Sequence, residues 1–167
     1  MRRLFRTLLI ALFAVAVGLV ARTHVISLAR VAGDSMADTL CAGDIALVTK
    51  YDYAKSPPER FDVVLMRFDG RDGSYLKRVI GLPGDEIVIS GGQVHINGMA
   101  VDETYAETTL GDYAVTLGTD EFFVLGDNRQ ASYDSREEEI GAVRAESFLG
   151  RVRAVVWPLA RFRLGIE

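Results

Sequence analysis

Three short polar clusters interrupt an otherwise strand-forming sequence: Gly33-Asp-Ser-Met-Ala-Asp-Thr-Leu, Tyr75-Leu-Lys-Arg, and Gly126-Asp-Asn-Arg-Gln-Ala-Ser-Tyr-Asp-Ser-Arg. Each holds side chains that can attack, move a proton or orient a partner. In the first, Gly33 and Asp34 permit a sharp turn that exposes the Ser35 hydroxyl and leaves backbone N–H groups free. A Gly-Asp-Ser tripeptide on its own is ordinarily just a turn. In the second, a strand would place Tyr75, Lys77 and Val79 on one face. A lysine between an aromatic and a β-branched residue loses hydration, and desolvation disfavours its ammonium form. At an ordinary pKa about one lysine in two thousand is neutral at pH 7; lowering it to about 8 costs roughly 3 kcal/mol and makes about a tenth neutral. Such an amine can take a serine proton. Taken alone, Lys77 reads better as an edge-strand lysine that guards against aggregation, and Arg78, facing the other way, fits that role too.

In the third cluster, Asp127, Asn128 and Asp134 suit turns, Arg129 and Arg136 can pair with carboxylates, and Ser132 can position a neutral lysine. The two histidines argue against a histidine-based mechanism. His24 abuts an apolar run, and His95 sits between Val94 and Ile96; neither has the acidic context of a Ser–His–Asp triad. Two isolated histidines and one cysteine, Cys41, give no metal site and no intrachain disulfide, and no cofactor is expected. Cys41 reads as a small buried hydrophobe.

The elements that must position these residues follow from the rest of the chain. Its 167 residues, 49% hydrophobic and 25% charged, suit one membrane segment and one globular domain. Four arginines (Arg2, Arg3, Arg6, Arg22) flank the first apolar run, so the net charge of −4 leaves the remainder clearly acidic, which offers no electrostatic reason for a nucleic-acid partner. Thr7 to Ala21 carries no charge. Its length lies on the border between a cleavable signal peptide and a short membrane span. Arginines ahead of the run favour a single-pass anchor in membrane lipid, with the amino terminus cytoplasmic and everything after Arg22 outside. The expected division is thus residues 1–22, a cytoplasmic tip and transmembrane signal-anchor, and residues 23–167, an extracytoplasmic domain.

Beyond residue 24 the pattern is β. Runs from Ile45 to Tyr51, Phe61 to Phe68 and Tyr75 to Ile80 are rich in β-branched and aromatic residues. Glu86–Ser90, Gly91-Gly92 and Gln93–Ile96 read as a hairpin, with a second tight turn at Asn97-Gly98. Phe122–Leu125 and Gly150–Trp157 supply later strands, Glu137–Phe148 has room for a turn or two of helix, and Asp102–Gly118 reads as an excursion from the sheet. The expected fold is all-β: a folded antiparallel sheet, barrel-like, behind a single N-terminal transmembrane helix.

Taken together and in order, the clusters resemble the bacterial type I signal peptidases (leader peptidases). The resemblance runs from about residue 1 to 155 and rests on four motifs. They are Gly33-Asp-Ser-Met-x-x-Thr-Leu, Arg60-x-Asp-Val-Val, Tyr75-x-Lys-Arg-Val-x-Gly-x-Pro-Gly-Asp, and Gly126-Asp-Asn-Arg-x-x-Ser-x-Asp-Ser-Arg, with a later Gly150-Arg. It implies a Ser–Lys dyad peptidase that removes signal peptides from exported preproteins at the outer membrane face, cutting after small residues at −1 and −3. By position, Ser35 is the nucleophile and Lys77 the general base, Ser132 supports the lysine, and Asp134 with Arg136 forms a structural ion pair. The Ser35 backbone N–H contributes to the oxyanion hole, and Val31, Met36, Leu40, Tyr75 and Leu76 line the substrate pocket. Lysine at 77 matches the bacterial branch; the endoplasmic-reticulum branch has histidine there. Two positions depart from the commonest pattern. Gly33 stands where some members carry a hydroxyl that donates a second oxyanion hydrogen bond, and Asp38 stands where the family usually has proline.

Three other readings share features of this sequence. A self-cleaving repressor-type Ser–Lys protease would carry a DNA-binding domain in place of the apolar run. A pilin- or conjugation-type processing peptidase would keep the dyad and change the substrate. A catalytically inactive membrane-anchored β-domain that binds a partner would not need both Ser35 and Lys77.

Overall fold

The computed structural model describes residues 5–13, 15, 25–50, 52–54 and 56–166. Residues 5–13 and 15 are helical, with Phe5, Leu8, Ile10, Leu12 and Phe13 exposed. No helix among the described residues is long and apolar enough to cross a membrane. The rest of the expected anchor, and His24 after it, lies outside the described residues.

Twelve strands follow among the described residues. β1 (Ile26–Arg30), β2 (Ile45–Thr49), β3 (Val63–Met66) and β4 (Tyr75–Gly81) lead to the hairpin of β5 (Glu86–Ser90) and β6 (Gln93–Ile96). Then come β7 (Met99–Ala100), β8 (Tyr113–Thr116), β9 (Glu121–Leu125), β10 (Val143–Arg144), β11 (Phe148–Trp157) and β12 (Arg163–Leu164). Every pairing is antiparallel. A curled eight-stranded sheet runs β1-β2-β11-β3-β4-β9-β10 with β12 on β11, and a four-stranded sheet runs β7-β6-β5-β8.

The expected hairpin forms with Ser90 opposite Gln93, and Gly91 and Gly92 both take the positive φ that a tight two-residue turn demands. Asn97 and Gly98 do the same at the second turn. Five strands were not expected: β1, β7, β8, β10 and β12. β1 and β8 lie at sheet edges and carry alanine, serine or arginine among their apolar residues, so their signal is weak. The excursion at 102–118 therefore returns to the small sheet through β8. Residues 137–148 hold the two-residue β10 and a 3-10 turn at Ala145–Ser147, not an α-helix. Cys41 is half-buried, and its N–H donates to Asp44 Oδ2 at 2.9 Å.

β4 and β9 are the strands that matter most for position, because both faces of each are covered. Val79, Phe122 and Val124 pack into a core with Val64, Met66 and Phe148. Their neighbours Ile80, Phe123 and Leu125 turn to a second core with Ile87, Ile89 and Val94 of the small sheet. A third core joins Val31, Met36 and Leu40 to Val48, Val63 and Val152. Period-two alternation on β4 thus sends Lys77 and Arg78 into two different buried environments.

Arg78 is fully buried and has nothing of the edge-strand guard about it. It forks onto Asp127 (Nε to Oδ1 2.9 Å, Nη2 to Oδ2 2.7 Å), donates Nη1 to the Phe61 carbonyl at 3.0 Å, and lies 3.9 Å over the Tyr105 ring. Such a pair does not repay its desolvation through Coulomb attraction alone, but losing one partner strands a buried charge. Arg78→Leu should therefore lower stability by about 3–5 kcal/mol, read as a lower urea midpoint with an unchanged m-value. An unaltered midpoint would show that the pair is dispensable.

Candidate active site

Lys77 reaches the site from the middle of β4, opposite Val64 of β3, where it is almost fully buried. Its Nζ donates to Ser132 Oγ at 2.9 Å. Burial is the largest influence on this amine and pushes its pKa from 10.5 down to about 8. The nearby Asp134 and Asp127 carboxylates pull it partly back up, while Arg136 adds to the lowering. No carboxylate forms an ion pair with Lys77 among the described residues. Two consecutive cations are thus treated in opposite ways: Arg78 receives a carboxylate and Lys77 a hydroxyl.

Ser132 lies in the loop that leaves β9, and its neighbours fix that loop. Asp134 is fully buried; its Oδ2 accepts the Gly126 N–H at 3.0 Å, and its Oδ1 accepts Arg136 Nε at 2.8 Å. Arg136 Nη2 donates back to the carbonyls of Arg129 (2.7 Å) and Ser132 (3.3 Å), closing the loop on itself. Ser135 caps the start by exchanging hydrogen bonds with Val124. Arg129 donates Nε to the Gly126 carbonyl at 3.0 Å and grips Glu103 with both terminal nitrogens, tying the loop to the 102–118 excursion.

Ser35 sits half-exposed in the turn between β1 and β2. Its carbonyl accepts the Asn128 N–H at 3.1 Å, so the turn that carries Ser35 is pinned to the same loop that holds Ser132. Gly126 makes this close approach possible: a Cβ there would overlap both Ser132 Oγ and the Ser35 carbonyl oxygen. Thr39 adds a second tie, its hydroxyl donating to Asp127 Oδ2 at 2.5 Å. The site therefore assembles Ser35, Lys77 and Ser132 at one place, although among the described residues no hydrogen bond joins Ser35 to Lys77. Nor does any described residue accept the Ser35 N–H. Gly33 is exposed, and a side chain there would meet open space.

Beside Ser35 lies a cavity of about 550 Å³, mostly apolar, walled by Val31, Met36, Leu65, Tyr75 and Leu76. Four of the five expected pocket residues line it. Leu40 does not; it is wholly buried in the core that includes Val31 and Met36, where it supports the wall from behind. Ala29 and Leu65 line the cavity without having been expected there. Ala29 belongs to the unforeseen β1, and Leu65 had only its strand as a signal. Asp38 adopts a φ of 74°. Proline is locked near −65° and cannot follow that path, whereas aspartate tolerates it at modest cost. This turn is therefore built differently from one that carries proline. His95 lies in β6 of the small sheet, paired with Val88 and Ala100 and outside this assembly.

The family model described as "Signal peptidase, peptidase S26" matches residues 2–157. The chain belongs to this signal peptidase family. It is therefore a peptidase, a hydrolase acting on proteins. Its similarity extends to the probable signal peptidase I-2 of a Synechocystis species, 36% identical over 159 residues that cover 90% of this chain and 72% of that one. It is 35% identical to the signal peptidase I of Bacillus caldolyticus over 165 residues, 89% of each chain. Among solved structures, a signal peptidase I from Enterococcus faecalis aligns with a TM-score of 0.52 at 30% identity, covering 57% of this chain and 97% of that one. The aligned part of this β-structure thus shares its fold with a signal peptidase I.

The lowered pKa of Lys77 carries a stability cost with a definite sign. From pH 8 to 10.5 the unfolded chain binds more protons than the folded one, so stability rises with pH across that window. Below pH 8 the cost is fully present, on the order of 3 kcal/mol. Lys77→Met, which fills the same space without a charge, should raise the unfolding free energy at pH 7 and flatten its rise between pH 8 and 10.5. Urea unfolding at several pH values would read this, and a variant less stable than the parent at pH 7 would refute it.

Proposed function

We infer that this signal peptidase removes amino-terminal signal peptides from exported preproteins by a Ser35–Lys77 mechanism. The observation that carries the reading is a buried lysine, stripped of water and held by a serine hydroxyl, beside a half-exposed serine at the mouth of an apolar cavity. With a pKa of about 8, roughly a tenth of Lys77 is neutral at pH 7. Neutral Nζ takes the Ser35 hydroxyl proton as Oγ bonds to the scissile carbonyl carbon. The resulting oxyanion accepts the Ser35 N–H. Collapse breaks the C–N bond, and the Lys77 ammonium gives its proton to the departing amine of the mature protein. The signal peptide stays as an ester on Ser35 until water, deprotonated by the same amine, attacks that carbonyl and restores the serine. Ser132 positions the amine throughout, and the Asp134–Arg136 pair keeps Ser132 in place.

The apolar cavity beside Ser35, lined by Met36, Tyr75 and Leu76, takes the small side chains at −1 and −3 in this reading. Those residues follow from the apolar core of a signal peptide, which reaches the site from the membrane. Residues 1–22 serve as cytoplasmic tip and anchor, and residues 23–167 form the extracytoplasmic peptidase. The helical stretch at residues 5–13, with its apolar side chains exposed, fits burial in lipid.

Full-length protein in detergent should cleave a preprotein whose signal peptide ends in Ala-x-Ala, and Ser35→Ala and Lys77→Met should each abolish cleavage while remaining folded. Unchanged cleavage by either variant would sink the assignment. The rate should also climb about tenfold per pH unit below pH 8 and level off above it, as a base of that pKa requires. A flat profile from pH 6 to 8 would exclude Lys77 as the base.

A further inference from the structure

The turn that carries Ser35 borders two cavities, not one. The apolar cavity takes in Ser35 and Met36; a second, of about 460 Å³, begins at the next residues, Ala37, Asp38 and Thr39. The two share no lining residue and meet only at this turn. They differ in chemistry. The second is walled by Thr104 to Glu107 of the excursion, by Asn128, and by Arg163 of β12. Asn128 is also the residue whose N–H holds the Ser35 carbonyl, so the cavity floor is continuous with the nucleophile's own support.

A polypeptide attacked at Ser35 has two halves of opposite character. The half before the cut is apolar and small-residue-rich, and it fits the apolar cavity. The half after the cut is the start of an exported mature protein and is polar. We propose that the second cavity is the subsite for this mature half, and that Glu107 and Asp38 make it favour basic over acidic residues there. The proposal rests on the reading of Ser35 as nucleophile.

The charges in the cavity decide the preference. Asp127 is neutralised by the Arg78 fork. Glu107 and Asp38 are not buried, and neither is in a salt bridge among the described residues; Glu107 receives the neutral Gln130 amide at 3.4 Å, and Asp38 feels Arg161, which is itself paired with Asp44. Arg163 brings one positive charge, turned toward the Thr39 carbonyl at 2.6 Å. Two carboxylates against one guanidinium leave a net negative wall. Because these groups are solvated, the preference is modest and salt-sensitive. Asp38 lines this cavity with its backbone in the left-handed region, at a φ of 74° that proline could not take.

The test uses full-length protein in detergent and two fluorogenic peptides with identical residues up to the cut. One carries lysines at +2 to +4 and the other glutamates. The lysine peptide should show a kcat/KM roughly three- to tenfold higher at low salt, mostly through KM, and the gap should close at high salt. Glu107→Lys, on an exposed loop, should invert the preference. Asp38→Asn, which keeps the left-handed backbone accessible, should shrink it. Equal kcat/KM for the two peptides, or a ratio that neither variant moves, overturns the subsite while leaving the dyad standing. Cleavage of both peptides by Ser35→Ala would instead take down the nucleophile assignment, and the subsite with it.

Discussion

The site depends on one buried contact, the fork of Arg78 onto Asp127. It joins the centre of β4 to the first residues of the loop after β9, and the free lone pair of Asp127 then accepts the Thr39 hydroxyl. Three segments far apart in sequence, around residues 39, 78 and 127, are thereby fixed at one point. A pair this deep is costly to desolvate, and it persists because every polar atom is used: the Phe61 carbonyl takes the remaining guanidinium nitrogen and the Tyr105 ring covers its face. What it secures is registry. The residue before Arg78 is Lys77 and the residue after Asp127 is Asn128, so fixing the ion pair also fixes the amine and the N–H that holds the Ser35 carbonyl.

That arrangement accounts for the different fates of two adjacent cations. A lysine given a carboxylate is held in its charged form. Here the nearest carboxylates are engaged elsewhere, Asp127 by Arg78 and Asp134 by Arg136. Lys77 is left with a neutral hydroxyl and with burial, and burial dominates its pKa. The loop from 126 to 136 thus does two things at once: it supplies Ser132 to orient the amine, and it occupies the acids that would otherwise hold the proton on it.

Close placement also shapes the surroundings of Ser35. Gly126 has no side chain because Ser132 and the Ser35 carbonyl fill that space. The apolar wall beside the serine is the outer surface of the core that contains Val31, Met36 and Leu40, so packing of the large sheet and the shape of the cavity are one problem. On the far end of the turn the excursion from 102 to 118 closes a polar cavity, held in place by the Arg129–Glu103 fork and by Thr109 against Gly92.

Much of this was legible in the sequence. The hairpin at Gly91-Gly92, the turn at Asn97-Gly98 and the central strands announce themselves because turn chemistry and β-branched runs are local properties. Ser35, Lys77, Ser132, Asp134 and Arg136 were marked by their residue types and by the order of their motifs, which is what ties the chain to its family. Edge strands such as β1 and β8 were not, since a half-exposed strand needs few apolar residues. Nor could the sequence assign Arg78, which looked like an edge guard, or Leu40, which looked like a pocket wall. Their roles depend on what lies across the sheet: Arg78 meets Asp127 and Leu40 is sealed behind Met36 only once the sheet has curled. The sequence by itself determined which groups could react. Tertiary structure decided which cation is held by a carboxylate and which is left to burial and a hydroxyl, because burial and the distance to a carboxylate are properties of the folded chain and of no single segment.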